Sequence, residues 1–390
     1  MPWDRVVDRR LKFVLAAEVG EEPFNVLCEH EGISRKTGYK WRDRFRAEGA
    51  LGLVDRSSAP KQHGRTTPKA LSEKIVLLRE ARPSWGPRKI IAKLEAMHPQ
   101  LAWPSPSTAG EILKRAGLVD ARRTRRRAPP SPWELTAPER ANHVWAIDYK
   151  GWIRLGDGAR CEPLTITDSF CRYLLKLSCG EGTAEAEARP QFEAAFEEFG
   201  LPEVIRSDNG SPFASAGVTG LTGLSVWWIK LGIRPERIDP GKPQQNGRHE
   251  RFHLTLLEAM QPPEPNRQAQ ARRFEDFRHD YNHERPHQAL GQQPPASFYA
   301  PSPRKLSDAP DEPDYPAEAA VRRVRSNGEI KWRGELVHIC SALTGEPIAI
   351  EENEAGQWRA RFHHYPLGVI DRKTNRLRRS SDAASDPEKL

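Results

Sequence analysis

Clusters of proline divide this chain of 390 residues into segments with clear periodic patterns. The sequence contains 34 prolines, and proline lacks the N–H group that helix interiors and central strands require. Four clusters separate stretches with regular hydrophobic patterns, at 57–60, 128–132, 261–265 and 309–313. We interpret the first, second and fourth clusters as interdomain linkers and the third as a loop within a domain. With about 150 residues per domain as a guide, the length also favours several domains.

The charge balance favours an anionic partner. The sequence has 61 Lys and Arg residues against 53 Asp and Glu residues, a net charge of +8. We favour nucleic acid over a membrane surface, because no amphipathic basic helix stands out. No apolar run approaches the ~18 residues of a membrane span, so we expect a cytoplasmic, nucleoid-associated protein. Five scattered cysteines without a C-x-x-C pair predict neither a disulfide framework nor structural zinc, and fit a reducing compartment.

Residues 1–58 are predicted to form a helix-turn-helix domain that binds DNA. A turn at 31–32 precedes Ser34, which is a candidate N-cap for the third helix. On that helix Gly38, Trp41 and Phe45 would pack inward. The outer face would then offer polar side chains to a major groove, namely those of Arg35, Lys36, Tyr39 and Lys40. The alternative is a small helical domain with a solvated basic face.

Residues 66–120 show a similar pattern and predict a second helix-turn-helix-like domain. Ile90, Ile91 and Leu94 would form the inner face of its middle helix, and Arg88 would contact DNA. A purely structural role is the alternative. Residues 121–136 form a basic, proline-rich linker that suits contact with a phosphate backbone, although a merely solvated linker has the same composition. Its basic run consists of Arg122, Arg123, Arg125, Arg126 and Arg127.

Residues 137–300 carry three acids in positions that suggest chemistry. Asp148 lies within an apolar strand, Asp208 follows the apolar strand 204–207, and Glu250 lies in the first turns of a helix. Each acid alone is also explained by a turn or a helix end. Three carboxylates brought together would suit Mg²⁺, which prefers oxygen ligands. Two such ions, ~3.5–4 Å apart, can promote the in-line displacement of a phosphodiester.

Four segments resemble the integrase core of insertion-sequence transposases related to retroviral integrases. They are Trp145-Ala146-Ile147-Asp148-Tyr149-Lys150-Gly151, Ser207-Asp208-Asn209-Gly210-Ser211-Pro212-Phe213, Pro243-Gln244-Gln245-Asn246-Gly247-Arg248-His249-Glu250-Arg251-Phe252 and Tyr281-Asn282-His283-Glu284-Arg285-Pro286-His287-Gln288-Ala289-Leu290-Gly291. The resemblance covers residues 137–299. It implies a ribonuclease-H-like fold and an Asp-Asp-Glu triad of Asp148, Asp208 and Glu250 that binds Mg²⁺ or Mn²⁺, two ions per site.

The same resemblance implies a reaction and its partners. Metal-activated water would cleave a phosphodiester at the end of a mobile element, and the resulting 3′-hydroxyl would attack target DNA. The protein would act on double-stranded DNA as a homo-oligomer, and Asn246 is a further expected DNA contact. The alternative from another class is a helix-turn-helix repressor with an inert core. A nuclease on RNA–DNA hybrids would share the core fold but would not need two helix-turn-helix units.

Two features of the third and fourth segments leave other assignments open. The usual family spacing from Asp208 would place the third acid at Gln244, and Glu250 lies six positions further on. We place the extra length in a loop at 214–225 and keep Glu236 as the fallback ligand. Two H-E-x-x-H matches, at 249–253 and 283–287, are typical of zinc proteases. Pro286 would break the second helix, and the first match explains neither strand acid.

Residues 315–372 change to short alternating strands, which predict a small β-barrel. The resemblance to transposases and integrases implies that this barrel is SH3-like and binds DNA or a neighbouring subunit. A barrel with only a packing role is the alternative. Residues 373–390 are predicted to be a disordered tail. The expected architecture is therefore multidomain, with α-helical helix-turn-helix N-terminal domains, an α/β ribonuclease-H-like core and a small C-terminal β-barrel.

Overall fold

The computed structural model describes residues 2–56, 67–119, 135–239, 245, 247–308, 312–353 and 356–379. The chain forms two compact units, residues 1–67 and 68–390. Within the described ranges, no helix has the length and apolar character needed to span a membrane.

The first unit contains the three helices expected of a helix-turn-helix domain. They are α1 (Pro2–Val19), α2 (Phe24–His30) and α3 (Arg35–Glu48). Ser34 caps α3, because its Oγ accepts a hydrogen bond from an N–H of the first turn at 3.2 Å. A Cβ atom on Gly38 would lie 2.8 Å from Cys28 Sγ, so glycine allows α3 to approach α2 closely. Trp41 and Phe45 pack against the same core, as predicted.

Residues 67–119 form a second helical region within the second unit. Its helices are α4 (Lys69–Ala81), α5 (Pro87–Met97) and α6 (Pro106–Arg115). Pro87 and Pro106 occupy first helical positions, where the missing N–H has no helical partner to lose. The predicted inner face of α5 is buried together with Trp85 and Leu113.

A mixed sheet forms the centre of residues 135–308, which we call the α/β region. Its strands are β1 (Val144–Tyr149), β2 (Ile153–Arg154), β3 (Arg160–Asp168), β4 (Leu174–Gly180), β5 (Val204–Ser207) and β6 (Arg234–Arg237). The order is β4-β3-β1-β5-β6, and the short β2 pairs with the start of β3. Strands β1, β3 and β4 are antiparallel, whereas β5 is parallel to β1 and to β6. This is the ribonuclease-H-like arrangement that we expected.

Helices cover both faces of this sheet. They are α7 (Glu185–Phe199), α8 (Gly223–Lys230), α9 (Gly247–Ala259) and α10 (Arg267–His279). Trp145 and Ile147 of β1 pack in one core with Phe192 of α7 and with α8. Because side chains alternate along a strand, Ala146 and Asp148 face the opposite side, where α9 lies.

The second helical region docks on the end of α10 through charged contacts. A π-helical turn, Asp280–Glu284, continues α10. Arg82 forms a salt bridge with Asp280 at 2.5 Å, and Lys93 forms another with Glu284. These contacts hold α5 beside the segment that follows α10.

The C-terminal region, residues 312–379, differs from the expected barrel. Its strands are β7 (Ala320–Arg323), β8 (Glu329–Trp332), β9 (Glu335–His338), β10 (Pro347–Glu352), β11 (Trp358–Phe362), β12 (Tyr365–Ile370) and β13 (Leu377–Arg378). One sheet has the order β13-β12-β11-β10-β7, and β8 and β9 form a separate hairpin. Both sheets are open among the described strands, so the closed barrel is not confirmed. Val226 and Ile229 of α8 share this core with Ile348 and Phe362, so the C-terminal region packs against the α/β region.

One disulfide bond departs from the expectation drawn from the cysteines. Cys161 of β3 and Cys179 of β4 are joined. Their separation of 18 residues gave no sign of this contact, because it depends on the pairing of β3 with β4. The three remaining cysteines are buried and free.

Gly200 tests the packing at the end of α7. It has a φ of +76°, and a Cβ atom there would lie 2.6 Å from the Ser302 main-chain oxygen. We expect Gly200→Ala to lower the free energy of unfolding by about 2–4 kcal/mol, since the left-handed conformation costs roughly 1–2 kcal/mol and the overlap adds to it. Gly158 has a φ of +83° and open space around it, so Gly158→Ala should cost only the roughly 1–2 kcal/mol of the left-handed conformation. If urea denaturation showed the same loss of free energy of unfolding for Gly200→Ala and Gly158→Ala, this packing would be contradicted.

Candidate active site

Asp148 lies near the end of β1 on the face that α9 covers. It is opposite Thr165 of β3, and 23% of its side chain is exposed. Burial raises the pKa of its carboxyl to about 7, and the negative charges of Asp208 and Glu250 contribute to the rise. Because an ionised carboxylate is unfavourable when it is partly buried beside other carboxylates, this position favours the binding of a cation.

Asp208 reaches the same sheet edge from the neighbouring parallel strand. The register of β1 and β5 pairs Ala146 with Arg206, and Asp148 and Asp208 each follow two residues later. The carboxyl ends of parallel strands meet at one edge, so the two acids are adjacent. Asp208 Oδ1 accepts a hydrogen bond from the N–H of Gly210 at 3.0 Å, which orients its carboxylate.

Glu250 adds the third carboxylate from the first turn of α9. Its side chain is exposed, and its charge contributes to the raised pKa of Asp148. The structure therefore brings the three acids named from the sequence into one electrostatic group, contributed by two strands and one helix.

The structure also bears on the long spacing between Asp208 and Glu250 and on the alternative ligand Glu236. Of the loop expected at 214–225, residues 214–222 are irregular and residues 223–225 form the first turn of α8. The fallback ligand Glu236 lies on β6, where it forms a salt bridge with Arg206 at 2.7 Å. It also accepts hydrogen bonds from Thr136. Because these partners already engage its carboxylate, the structure gives no support to Glu236 as the third ligand.

Two buried histidines of α9 lie behind Asp148. His249 and His253 face β3, where Thr165 Oγ1 lies 2.6 Å from His249 Nε2 and 2.9 Å from His253 Nε2. The same hydroxyl donates to the main-chain oxygen of Asp148 at 2.9 Å. Since a hydroxyl has one hydrogen, both imidazoles must donate their Nε2–H to Thr165.

That hydrogen-bond pattern fixes the tautomer of His253. With Nε2 protonated, its Nδ1 carries a lone pair and lies 3.7 Å from Asp148 Oδ2. Burial lowers the pKa of His253 to about 3 and holds that of His249 well below its usual range, so both rings are neutral at neutral pH. Ligand atoms of Asp148, His249 and His253 lie within 4.8 Å of one another. The spacing of the two histidines on the inner face of α9 was the sequence signal for this cluster.

Neither H-E-x-x-H match forms a zinc-protease site, in agreement with the sequence analysis. In 249–253 both histidines face Thr165, whereas Glu250 is exposed on another side of α9. In 283–287 the π-helical turn ends at Glu284, and His287 lies in extended backbone. The two histidines of the second match therefore do not share a helix.

The predicted DNA-reading face of α3 is exposed. Four of the side chains that line a shallow groove of about 800 Å³ on α3 are those predicted from the sequence, namely Arg35, Lys36, Tyr39 and Lys40. The Tyr39 ring stacks on Phe24, with 4.3 Å between the ring centroids. A flat aromatic ring among cations suits contact with nucleic acid.

The other predicted DNA contacts are separate from this face. Arg88 is exposed on α5. The remaining ones, Arg122, Arg123, Arg125, Arg126, Arg127 and Asn246, lie outside the described residues.

Family comparisons match successive parts of the chain. Residues 9–61 match a helix-turn-helix domain and residues 37–113 match a homeodomain-like domain. Residues 138–243 and 231–295 match models of the integrase core domain, and these two ranges contain the three acids. Residues 319–378 match the C-terminal domain of IS481 family transposases.

Similar proteins come from insertion elements. The uncharacterized 31.7 kDa protein of insertion element IS407 from Burkholderia multivorans is 29% identical over 248 residues, which cover 62% of this chain and 84% of that protein. The uncharacterized 39.2 kDa protein of insertion element IS476 from Xanthomonas euvesicatoria is 28% identical over 293 residues, or 73% and 78% of the two chains. The HTLV-2 integrase catalytic core domain, solved with magnesium, aligns with a TM-score of 0.31 and 16% identity, covering 42% of this chain and 98% of that domain.

The raised pKa of Asp148 predicts a pH-dependent change in stability. The ionised form is penalised in the folded protein, so the penalty is complete above pH about 7, falls as the pH decreases, and is absent below pH about 4. In metal-free buffer, Asp148→Asn should therefore raise the free energy of unfolding by roughly 2–4 kcal/mol above neutral pH and have little effect in acid. Asp276→Asn, at an exposed position on α10, should have little effect at either pH. If Asp148→Asn raised the free energy of unfolding by the same amount at every pH, this interpretation would be contradicted.

Proposed function

We propose that this chain, which is an insertion-sequence transposase with an integrase-like core and hence a polynucleotidyl transferase, cleaves the ends of its element and joins the 3′-hydroxyls to target DNA. Asp148, Asp208 and Glu250 would be its catalytic residues. The observation that supports this most directly is that Asp148 and Asp208 follow the same register pair of two parallel strands, with Glu250 near enough for its charge to act on Asp148.

The donor set of this site fits Mg²⁺ or Mn²⁺. Carboxylate oxygens are the ligands that these hard cations prefer, and a small number of protein ligands leaves positions for phosphate oxygens. Cation binding would also relieve the repulsion that disfavours ionised Asp148. Two ions, when bound, would stabilise charge on both the attacking and the leaving oxygen of a phosphodiester.

The residues of the chain have distinct tasks in this proposal. Asp148 is fixed on a central strand, beside the hydrogen-bonded group formed by Thr165 and His253. Asp208 is oriented by the N–H of Gly210. Glu250 is the most exposed of the three acids, so the phosphodiester would approach from its side.

Double-stranded DNA is the proposed partner, both as element ends and as target. Helix α3 would read the terminal repeats, with additional contacts from Arg88, the arginine run in the linker and Asn246. The C-terminal region would add DNA or subunit contacts. Insertion requires two element ends to be held together, so we propose a homo-oligomer on DNA that acts at the nucleoid.

Strand cleavage and joining test the catalytic assignment. The substrate is DNA from both flanks of the gene, with Mn²⁺ or Mg²⁺ present. Asp148→Asn and Glu250→Gln should each lower cleavage on the order of 10³-fold, because they remove charge that acts in the transition state. Both variants should retain DNA affinity, and Asp276→Asn should cleave normally. Site-specific binding without cleavage by the wild type and both variants would instead support a repressor.

DNA binding by α3 forms a second test. Lys36→Gln and Lys40→Gln should weaken binding to the flanking DNA, and each lost phosphate contact should reduce the slope of log affinity against log salt by about one. Lys12→Gln, an exposed lysine on α1, is the matched control. Fluorescence anisotropy at several salt concentrations measures both quantities. Equal effects at all three positions would show that binding depends on net charge and not on this face.

A further inference from the structure

A basic cavity lies beside α9, next to the candidate active site. Its volume is about 860 Å³, within the range of roughly 300–1,000 Å³ that is usual for small-molecule sites. Its walls come from α5, from α9, from the turn between β3 and β4, and from residues 285–289. None of the three candidate catalytic acids lines it.

The cavity wall carries more positive charge than the protein neutralises. Two of its cations are engaged, since Arg206 pairs with Glu236 and Arg248 donates to a main-chain oxygen at 2.7 Å. Four others form no salt bridge with any carboxylate in the described ranges, and they are Lys89, Arg172, Arg251 and Arg285.

The acid in the wall does not balance these charges. Among the lining residues only Asp168 is acidic. Its carboxylate already accepts hydrogen bonds from the main-chain N–H groups of Asn142 at 2.7 Å, Phe170 at 2.9 Å and Cys171 at 2.8 Å. An anion that enters the cavity would therefore meet four cations that form no salt bridge within the described ranges, of which Arg285 donates a hydrogen bond to Ser84 Oγ at 3.4 Å.

Two buried side chains indicate that the cavity is built for a polar ligand. Arg285 is only 9% exposed, and burying a guanidinium without a carboxylate is costly. His287 is 7% exposed, lines the cavity, and has no hydrogen-bond partner for Nε2. Burial, followed by the positive charges of Arg285 and Arg251, lowers the pKa of Lys89 to about 8. An anionic acceptor would relieve this repulsion and give the buried Arg285 guanidinium a charged partner.

We propose that this cavity binds a phosphate group of DNA. The inference rests on the proposed action on DNA, because it places the phosphate beside α9, the helix that also carries Glu250. The chemistry fits a backbone phosphodiester and a 5′-terminal phosphate equally, since both present anionic oxygens to guanidinium and ammonium donors.

The site also joins two parts of the molecule. Lys89 comes from the second helical region, whereas Arg172, Arg251 and Arg285 come from the α/β region. The salt bridges Arg82–Asp280 and Lys93–Glu284 hold α5 in place. A bound phosphate would therefore couple the position of the second helical region to that of the core.

Inorganic phosphate tests the site without metal or cleavage. In metal-free buffer, added phosphate should raise the melting temperature of the full-length wild type, because a ligand of the folded state stabilises it. Lys89→Gln and Arg172→Asn should each reduce this rise by at least about half. Arg172 has a φ of +66°, which asparagine tolerates, so that variant removes charge without adding strain. Lys74→Gln, at an exposed lysine on α4, should respond as the wild type does.

Duplex DNA with a 5′-phosphate or a 5′-hydroxyl distinguishes the two sources. Each variant should bind about tenfold more weakly than the wild type to a duplex that carries the recognised phosphate group. If the terminal group is the ligand, the variants lose only the preference for the 5′-phosphate, and if the backbone is the ligand, they lose affinity for both duplexes equally. Phosphate stabilisation and DNA affinity equal to those of Lys74→Gln in both variants would overturn the proposal. Added phosphate should raise the melting temperature of Asp148→Asn as it does that of the wild type. The phosphate site can therefore be tested even if the catalytic assignment of Asp148 fails.

Discussion

Three carboxylates that repel one another are held at one edge of the central sheet, and the surrounding structure supplies the force that keeps them together. Asp148 and Asp208 cannot separate, because β1 and β5 are hydrogen-bonded in register and buried on both sides. Glu250 cannot leave without displacing α9, which packs on the sheet through its apolar residues. The fold thus holds Asp148 in a partly buried place beside two other acids, and burial, followed by their negative charges, raises its pKa and favours a divalent cation.

Helix α9 carries functional side chains of different charge on its different faces. Its inner face carries His249 and His253, which bond to Thr165 behind the candidate metal site. Glu250 lies on an exposed side, and Arg251 faces the basic cavity. Negative and positive groups therefore lie on one rigid element, a few residues apart. A DNA strand that places a phosphate in the cavity would bring a neighbouring phosphodiester close to the acids.

The acids could be predicted from the sequence because a charged residue at the end of an apolar strand interrupts an otherwise regular pattern. Asp148 and Asp208 are such interruptions, and parallel pairing of the strands brings them together. Features that depend on contacts between distant elements were not predicted. The basic cavity is one such feature, because Lys89 of α5 lines it only when the second helical region docks on the core, and local pattern does not fix which face of a helix docks. The disulfide depends on strand register, and the packing of the C-terminal sheets against α8 depends on a contact between distant parts of the chain.

The central claim is that the three acids form one metal site in which Asp148 exchanges a proton for a cation. Isothermal titration calorimetry of Mn²⁺ into the metal-free protein, in buffers with different ionisation enthalpies, counts the protons released on binding. Because the pKa of Asp148 is about 7, binding to the wild type should release close to one proton at about pH 6 and far fewer at about pH 8. Asp148→Asn should bind Mn²⁺ weakly and release none. Proton release that is equal at the two pH values, or Mn²⁺ binding that is unchanged in the variant, would contradict the account.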